Sequence, residues 1–378
     1  MISRAGSRGI ALHLDEDEKS IMRCLRLSGP ASRSALVSTL DFSPAKLTKL
    51  SQRLLAIGLV EEMEDAGPQG RGRPAMPLRI APRAGYAIGT TAHKGVLDIA
   101  LVDYAGSIIA QSAEPFHDHD PRTLCRAVRT RILDMIDRHD LVGARLLGLG
   151  IGMPGLASSP DGEHWRTVPE LWGARDVPIR AMLEDMLALP VWIENDATAT
   201  ALAEYYMADP SDRSATMVAI LLGYGIGAGV VVDGRLLRGT MGNAGDIGAF
   251  YPMDRPRPSP VDLLSVLRAD GCEIDSVADV GDKASQHQAV VDAWVVRAAD
   301  QLRLVVESAL AWFDPGRIVL SGPLPHALVA RLAERLNAAG ISRGPYSTFM
   351  PEVLASRLGG TAITLGAALL PIHASIAL

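Results

Sequence analysis

Apolar and polar positions change rhythm twice along this chain, and each change marks a different kind of element. From Asp15 to Leu27, acidic residues lead into Ile21, Met22, Leu25 and Leu27. That spacing predicts an amphipathic helix whose dipole is complemented at its start. Gly29-Pro30 ends it, and Ser32–Leu40, with Leu36, Val37 and Leu40 apolar, predicts a second, short helix. After a turn at Asp41-Phe42, Ser43 is placed to cap a third helix over Pro44–Ile57, with Pro44 at its first position and Gly58 as its stop. Residues 59–64 and 76–80 then alternate as a short strand and its return. Three helices followed by a β-ribbon predict a winged helix-turn-helix, assigned to residues 1–80.

From Gly85 the period shortens. Strands are predicted at 86–92, 96–104 and 107–115, then a helix at Thr123–His139. A strand at 148–152, a helix at Ile179–Leu189, a strand at Val191–Glu194 and a helix at 197–207 follow. A second series repeats this order with a hairpin, a long helix (Gln288–Phe313), a strand (Arg317–Ser321) and a helix (Pro325–Ala339). The repeat is one of element order, not of residues. It predicts two halves, 84–200 and 201–378, facing one another across a cleft. The apolar stretch 358–375 is expected to be a last helix packing back on the body.

Chemistry concentrates at three places. An apolar run, Met217–Leu222, enters a glycine ladder at 223, 225, 227 and 229; Val230–Val232 leaves it, turns at Asp233-Gly234, and meets glycines at 239, 242, 245 and 248. Alternate glycines suit either a bare hairpin or one whose backbone a ligand approaches, with free N–H groups for phosphate or polar oxygens. In VWIEND (191–196) a short strand ends in Glu194-Asn195-Asp196 and opens a helix. Strand ends of this kind carry ligand-binding groups in α/β sheets. Asp196 fits a general base toward a sugar hydroxyl, and equally a helix N-cap. Residues 146–162 form a glycine-rich strand ending in Met153-Pro154-Gly155.

Together GMPG (152–155), the run 172–197, GYGIGAG (223–229) and GNAGDIG (242–248) fall in one order and spacing over nearly the whole chain. In this they resemble the ROK family of repressors, open reading frames and kinases. The resemblance implies a multidomain chain: a mainly α winged helix-turn-helix followed by an α/β actin-like ATPase fold of two subdomains around a central cleft. It implies a carbohydrate site drawn from Gly155, Asn195, Asp196 and Asp246, with a phosphate-loop remnant at Gly223, Gly225 and Gly227. Glu170 falls where many relatives carry an Asn near the sugar, and fits either a ligand contact or solvent.

The same resemblance argues against phosphoryl transfer. Active members need an Asp on the first strand, followed by glycines that admit the triphosphate. Here Thr91 stands at the Asp position, and His93 and Lys94 replace the glycines. A hydroxyl does not replace a carboxylate as a metal anchor, and side chains crowd the nucleotide. The family's Glu becomes Asp246, and its sugar- and zinc-binding His becomes Ala249. The cysteine cluster that should follow is replaced by YPMDRPRPSPVDLLSVL (251–267), which predicts a proline-stiffened turn and a helix. Four N or S ligands do not converge there, so no structural zinc is expected, and no cofactor. His117-Asp118-His119-Asp120 looks like a metal cluster on paper, but Asp120 suits a helix cap and the rest a solvated loop.

Charge sharpens the picture of the N-terminal unit. Residues 1–83 hold 13 Lys and Arg against 9 Asp and Glu, whereas the whole chain is at −6. A basic head on an acidic body suggests nucleic-acid contact at one end. On the third helix, Ser43, Ala45, Lys46, Thr48, Lys49 and Arg53 are expected to face the major groove. In GPQGRGRP (67–74), Arg71 and Arg73 are placed to enter a narrow minor groove; their alternative is a soluble linker. Cys24, Cys125 and Cys272 are odd in number and far apart, which argues for a reducing cytoplasm rather than a disulfide framework.

These expectations converge on a cytoplasmic transcription regulator, a repressor, that binds operator DNA as a homodimer or higher homo-oligomer and senses a carbohydrate without phosphorylating it. The competing readings are an ATP-dependent sugar kinase with an added DNA-binding head, and a constitutive DNA-binding protein with a vestigial cleft.

Overall fold

Side-chain caps start the first three helices. The computed structural model describes residues 13–63, 76–93, 95–169, 171–173, 175–252, 254–340 and 349–377. Helix α1 (Glu16–Ser28) begins in a capping box: the Asp15 carboxylate accepts from the Glu18 amide, and Glu18 accepts from the Asp15 amide. Ser32 caps α2 (Arg33–Leu40) and Ser43 caps α3 (Pro44–Ala56). Strand β1 (Val60–Glu62) pairs antiparallel with β2 (Leu78–Ile80), Val60 opposite Ile80.

Two five-stranded sheets build the body, and they share one topology. The first comprises β3 (Tyr86–His93), β4 (Val96–Asp103), β5 (Ile108–Pro115), β6 (Leu146–Met153) and β9 (Val191–Asn195), in the order β5-β4-β3-β6-β9. The second comprises β10 (Thr216–Leu222), β11 (Ile226–Val232), β12 (Arg235–Leu236), β13 (Arg317–Ser321) and β14 (Val353–Ala355), in the order β12-β11-β10-β13-β14. In each, an antiparallel meander of three strands is extended by two parallel strands. The repeat of element order is thus a repeat of sheet order. A small ribbon, β7 (Gly155–Ala157) with β8 (Trp165–Thr167), leaves the end of β6; the sequence pattern gave no sign of it.

Helices fill both faces. Helices α4 (Pro121–Arg138) and α5 (Ile179–Leu187) cover the outer face of the first sheet, with Val128, Ile132 and Leu183 in that core. Helices α7 (Pro260–Ala269), α8 (Val280–Lys283), α9 (Gln288–Phe313) and α10 (His326–Ala338) cover the outer face of the second around Trp294, Leu302 and Leu332. Between the sheets lie α6 (Asp196–Met207) and α11 (Ala362–Ile376). Their contacts are at backbone distance: a Cβ on Gly150 of β6 would sit 1.8 Å from the Ala367 carbonyl oxygen, and one on Gly366 1.8 Å from that of Ala199. Helix α11 is apolar nearly throughout because it is enclosed, from Ala362 to His373.

The head does not stand apart. Ile21, Met22 and Leu25 of α1 belong to the same buried cluster as Leu202, Tyr205 and Tyr206 of α6 and Leu365 and Leu369 of α11. Helix α1 also reaches both sheets through arginines. Arg26 donates to the Ala105 carbonyl (3.2 Å) and to that of Tyr104, in the β4–β5 turn. Arg23 donates to the Asp233 carbonyl (3.1 Å), in the β11–β12 turn.

Candidate functional site

A cavity of about 350 Å³ opens where the ends of β6, β9 and β10 converge, the usual place for a ligand in an α/β sheet. Its walls include Gly155, Asn195, Asp196, Tyr224, Gly225, Gly227, Asn243, Asp246 and Arg257. Of the residues singled out from sequence, Gly155, Asn195, Asp196, Asp246, Gly225 and Gly227 are brought together here. Gly223 is not among the lining residues, and Glu170 lies outside the described residues.

Each wall residue is placed by local chemistry. Asn195 ends β9 and caps α6: its Oδ1 accepts from the Ala197 amide (2.9 Å) and its Nδ2 donates to the Gly155 carbonyl (2.8 Å). The side-chain amide therefore joins two strand ends rather than projecting freely. Asp196 also accepts from the Ala197 amide, at 2.8 Å. Burial pushes its carboxyl up to about 6, against the pull of that amide. The N-cap expected of Asp196 is therefore corrected: Asn195 fills that position, and Asp196 is the first residue inside the helix. Next to it, Glu194 is buried and meets Nε of Arg238 at 2.5 Å. Burial raises the Glu194 pKa while Arg238 opposes it.

The glycine ladder divides by purpose. Gly223 donates its amide to the Gly225 carbonyl (3.0 Å), so that N–H closes the turn and is not offered to a ligand. A Cβ on Gly227 would meet that of Ala197 at 2.8 Å, and one on Gly229 would lie 2.5 Å from the Ala197 carbonyl oxygen. These two glycines admit α6. Gly225 has nothing within 4 Å of its would-be Cβ and is the member of the ladder that faces open space. Close helix packing thus accounts for Gly227 and Gly229, while Gly225 and Gly227 also line the cavity.

Two contacts cross from one sheet's lobe to the other's at the cavity. Asn243 accepts from the Ala157 amide (2.8 Å) and donates to the Ala157 carbonyl (2.9 Å), completing a two-point clasp to the β7 strand. Glu194 with Arg238 is the second. Neither Asn243, Tyr224, Arg238 nor Arg257 was singled out from sequence. A bulky Tyr inside a glycine run and an Arg held between two prolines were the available signals.

The β3–β4 hairpin is filled from the side. Thr91 is buried and pairs with Asp98, while Thr90 donates to the Asp98 carbonyl at 2.8 Å. The His117 ring lies against Gly95 (2.4 Å from a would-be Cβ), and Phe116 donates to the Gly95 carbonyl. His93 ends β3 and Lys94 lies outside the described residues. Asp120 caps α4 through the Thr123 amide (3.0 Å).

On the head, α3 buries Leu47, Leu50, Ser51 and Leu54. Ala45, Lys46, Thr48, Lys49 and Arg53 are exposed, and so is Gln52, which sequence reading passed over. The Ser43 hydroxyl accepts from the Lys46 amide, and the Thr48 hydroxyl donates to the Pro44 carbonyl. Lys46 pairs with Asp17 at 2.7 Å and stacks over Phe42; Arg53 meets buried Glu18 at 3.1 Å. The flank of α3 toward α1 is therefore already paired. Ala45, Thr48, Lys49 and Gln52 form the outward face. Arg71 and Arg73 lie outside the described residues.

A duplicated five-stranded sheet, a cleft at the strand ends and two helices between the lobes define the actin-like, hexokinase-like class. The sequence pattern of the ROK family matches residues 86–259. The chain is 31% identical to the uncharacterized protein y4fQ of Sinorhizobium fredii, over 95% of this chain and 91% of that one. It is 24% identical to the DNA-binding transcriptional dual regulator NagC of Escherichia coli, over 82% of this chain and 80% of NagC. A solved ROK family transcriptional regulator, described as a homolog of the E. coli Mlc protein, superposes with a TM-score of 0.72 at 21% identity, covering 96% of each chain. This chain belongs to the ROK family.

Proposed function

We propose that this protein is a ROK-type transcription regulator, a repressor, whose N-terminal unit is a winged helix-turn-helix for operator DNA and whose cleft senses a carbohydrate without phosphoryl transfer. One observation carries the reading: α1 of the head is hydrogen-bonded to both lobes at once, through Arg26 to the first and Arg23 to the second. A change in the angle between the lobes then has to strain or release the head. A ligand that prefers one lobe arrangement shifts the head with it, by no more than its differential affinity. In the cleft, Asp196 and Asp246 accept from sugar hydroxyls, Gly225 leaves room for the ring, and Gly155, whose missing Cβ admits the β8 backbone, contributes its main chain to the wall.

Absence of catalysis is supported by Thr91, a buried hydroxyl where a metal-anchoring carboxylate is required, and by the His117 ring packed against the turn that would admit a triphosphate. On the DNA side, Ala45, Thr48, Lys49 and Gln52 face the major groove. Lys46 exchanges its exposed partner Asp17 for phosphate at little cost, since exposed ion pairs are weak, whereas Arg53 stays with the buried Glu18, whose carboxylate it neutralises. Arg71 and Arg73 reach the minor groove. The domains are residues 1–80, 84–200 and 201–378, and the site of action is the cytoplasm. A homodimer matches paired half-sites, and α9 offers exposed Leu304 and Trp312, two turns apart, for a second copy to cover.

The test is fluorescence anisotropy with genomic operator fragments, with and without a sugar panel, beside an ATP turnover assay on the same panel. Operator binding that a sugar alters, without turnover, is the expected result. Appreciable sugar phosphorylation overturns the regulator reading in favour of a kinase with an added head. Sugar-independent DNA binding reduces it to a constitutive binder.

A further inference from the structure

The segment that stands in place of the family's cysteine cluster delivers a cation into the cleft. Among the described residues lining the cavity, Arg257 is the one cation, in a wall that also holds the carboxylates Asp196 and Asp246. Its backbone is pinned on both sides. The Pro256 carbonyl accepts from Nε2 of Gln301 (2.7 Å), and the Arg257 carbonyl accepts from the Ser259 amide (2.8 Å). Ser259 caps α7, and Pro258, Ser259 and Pro260 are buried. Tyr251, at the start of the segment, is anchored to the Gln301 carbonyl at 3.1 Å. A solvated surface arginine needs no such support.

The guanidinium and Asp246 meet at Gly248. A Cβ on Gly248 would lie 3.5 Å from Oδ1 of Asp246 and 3.9 Å from Nη2 of Arg257. The Ile226 carbonyl oxygen would lie nearer still, at 3.0 Å, so glycine here also admits the β11 backbone beside the two groups. Ala249, where a His is expected from the family pattern, is exposed and is not among the lining residues. One polar wall group is thus lost and a different one gained, with opposite hydrogen-bonding character. A guanidinium only donates, in a planar fork that matches a carboxylate.

We propose that the effector is a carbohydrate bearing a single carboxylate, a uronate or an aldonate, and that Arg257 is the residue that selects it. This rests on the reading of the cleft as a sensing site. Hydroxyls are held by Asp196 and Asp246, and the carboxylate is held by Arg257. One negative charge is favoured over the dianion of a sugar phosphate because two carboxylates line the same cavity and repel added charge.

Isothermal titration of the full chain with glucuronate, galacturonate and gluconate, against glucose, galactose and glucose 6-phosphate, tests this directly. At least one acid is expected to bind tenfold or more tighter than its parent aldose. Arg257→Gln is expected to abolish that ratio while leaving neutral-sugar affinity within about threefold. Arg257→Lys, which keeps the charge and loses the fork, is expected to retain part of the ratio, and it separates charge from misfolding. An unchanged ratio in Arg257→Gln, or a wild-type preference for the neutral sugar or the phosphate, overturns the inference and leaves carbohydrate sensing intact. Failure of every carbohydrate to bind removes the sensing reading and this inference with it.

Discussion

The guanidinium of Arg26 lies 5.7 Å from the ring centre of Tyr206, with the Tyr104 ring at 5.5 Å on another side. Arg26 belongs to the head and Tyr206 to the last turn of α6, whose first residue, Asp196, lines the cavity. A single helix therefore runs from the cavity to the head. Burial lowers the Arg26 pKa, and the two tyrosines and Asp103 oppose that shift. Arg26→Ala leaves the carbonyls of Tyr104 and Ala105 without their donor and both rings without their cation. The expected cost is about 2–4 kcal/mol in denaturant unfolding. Arg26→Lys should recover less than half, because an ammonium has no fork. A loss under about 0.5 kcal/mol would show that the head is not held through this residue.

Asp196 gives a pH dependence with a definite sign. Its folded pKa, about 6, lies above the ordinary carboxylate value. Its contribution to stability is therefore fully present below about pH 4 and is lost as pH rises through 6. Asp196→Asn should stabilise the protein by about 1–2 kcal/mol at pH 7.5, after discounting for solvent in the cavity, and by nothing at pH 4. Urea titrations at the two pH values measure it. The same substitution should weaken sugar binding at pH 7.5 by about tenfold or more, the worth of a hydrogen bond to a charged group.

Asn243 satisfies both backbone groups of Ala157. Asn243→Ala should cost about 1–2 kcal/mol. It should also speed amide hydrogen exchange at Ala157 selectively, because the clasp is the bond that protects it. Uniform protection in the variant would mean that the lobes are held together elsewhere.

Gly150→Ala places a methyl group 1.8 Å from the Ala367 carbonyl oxygen. Backbone cannot yield as a flexible side chain does, so a loss beyond about 3 kcal/mol and insoluble expression are expected. Gly225→Ala, with nothing within 4 Å of the added carbon, should express and melt like wild type.

Lys49→Ala should weaken operator binding and lower the slope of log K against log salt by about one, the signature of one lost phosphate contact. Gln52→Ala should instead relax sequence preference with little change in slope. Arg71→Ala with Arg73→Ala should weaken operator binding strongly. Unchanged affinity across a salt titration would remove these two arginines from the interface.

Local signals in the sequence located most elements because local chemistry starts and stops them. Asp15, Ser32, Ser43 and Asp120 each accept from the amide three residues on; α4 starts at Pro121, directly after its cap and two residues before the Thr123 expected from the apolar pattern. The β7–β8 ribbon was not legible: its strands are three residues each and are separated by a turn of mixed character. The site was legible where a motif sits at a strand end, as for Gly155, Asn195 and Asp196. It was hidden where a residue acts across the lobes. Nothing local to Asn243 tells of Ala157, and nothing local to Arg238 tells of Glu194. The ladder stayed ambiguous for a related reason, since a glycine that admits a helix and one that admits a ligand look the same in a string. Lys46 and Arg53 were assigned from their place on α3 alone, and their partners Asp17 and Glu18 belong to another helix.

The strap formed by α1 across two turns of opposite lobes has a bearing on how the protein is dissected. Cutting away residues 1–80 to obtain a tractable sugar-binding fragment removes α1, which is hydrogen-bonded to both the β4–β5 turn and the β11–β12 turn. Dissociation constants measured on such a fragment will describe an unharnessed molecule. By reciprocity, operator itself should tune the intact protein's appetite for sugar by whatever factor the sugar tunes its grip on operator.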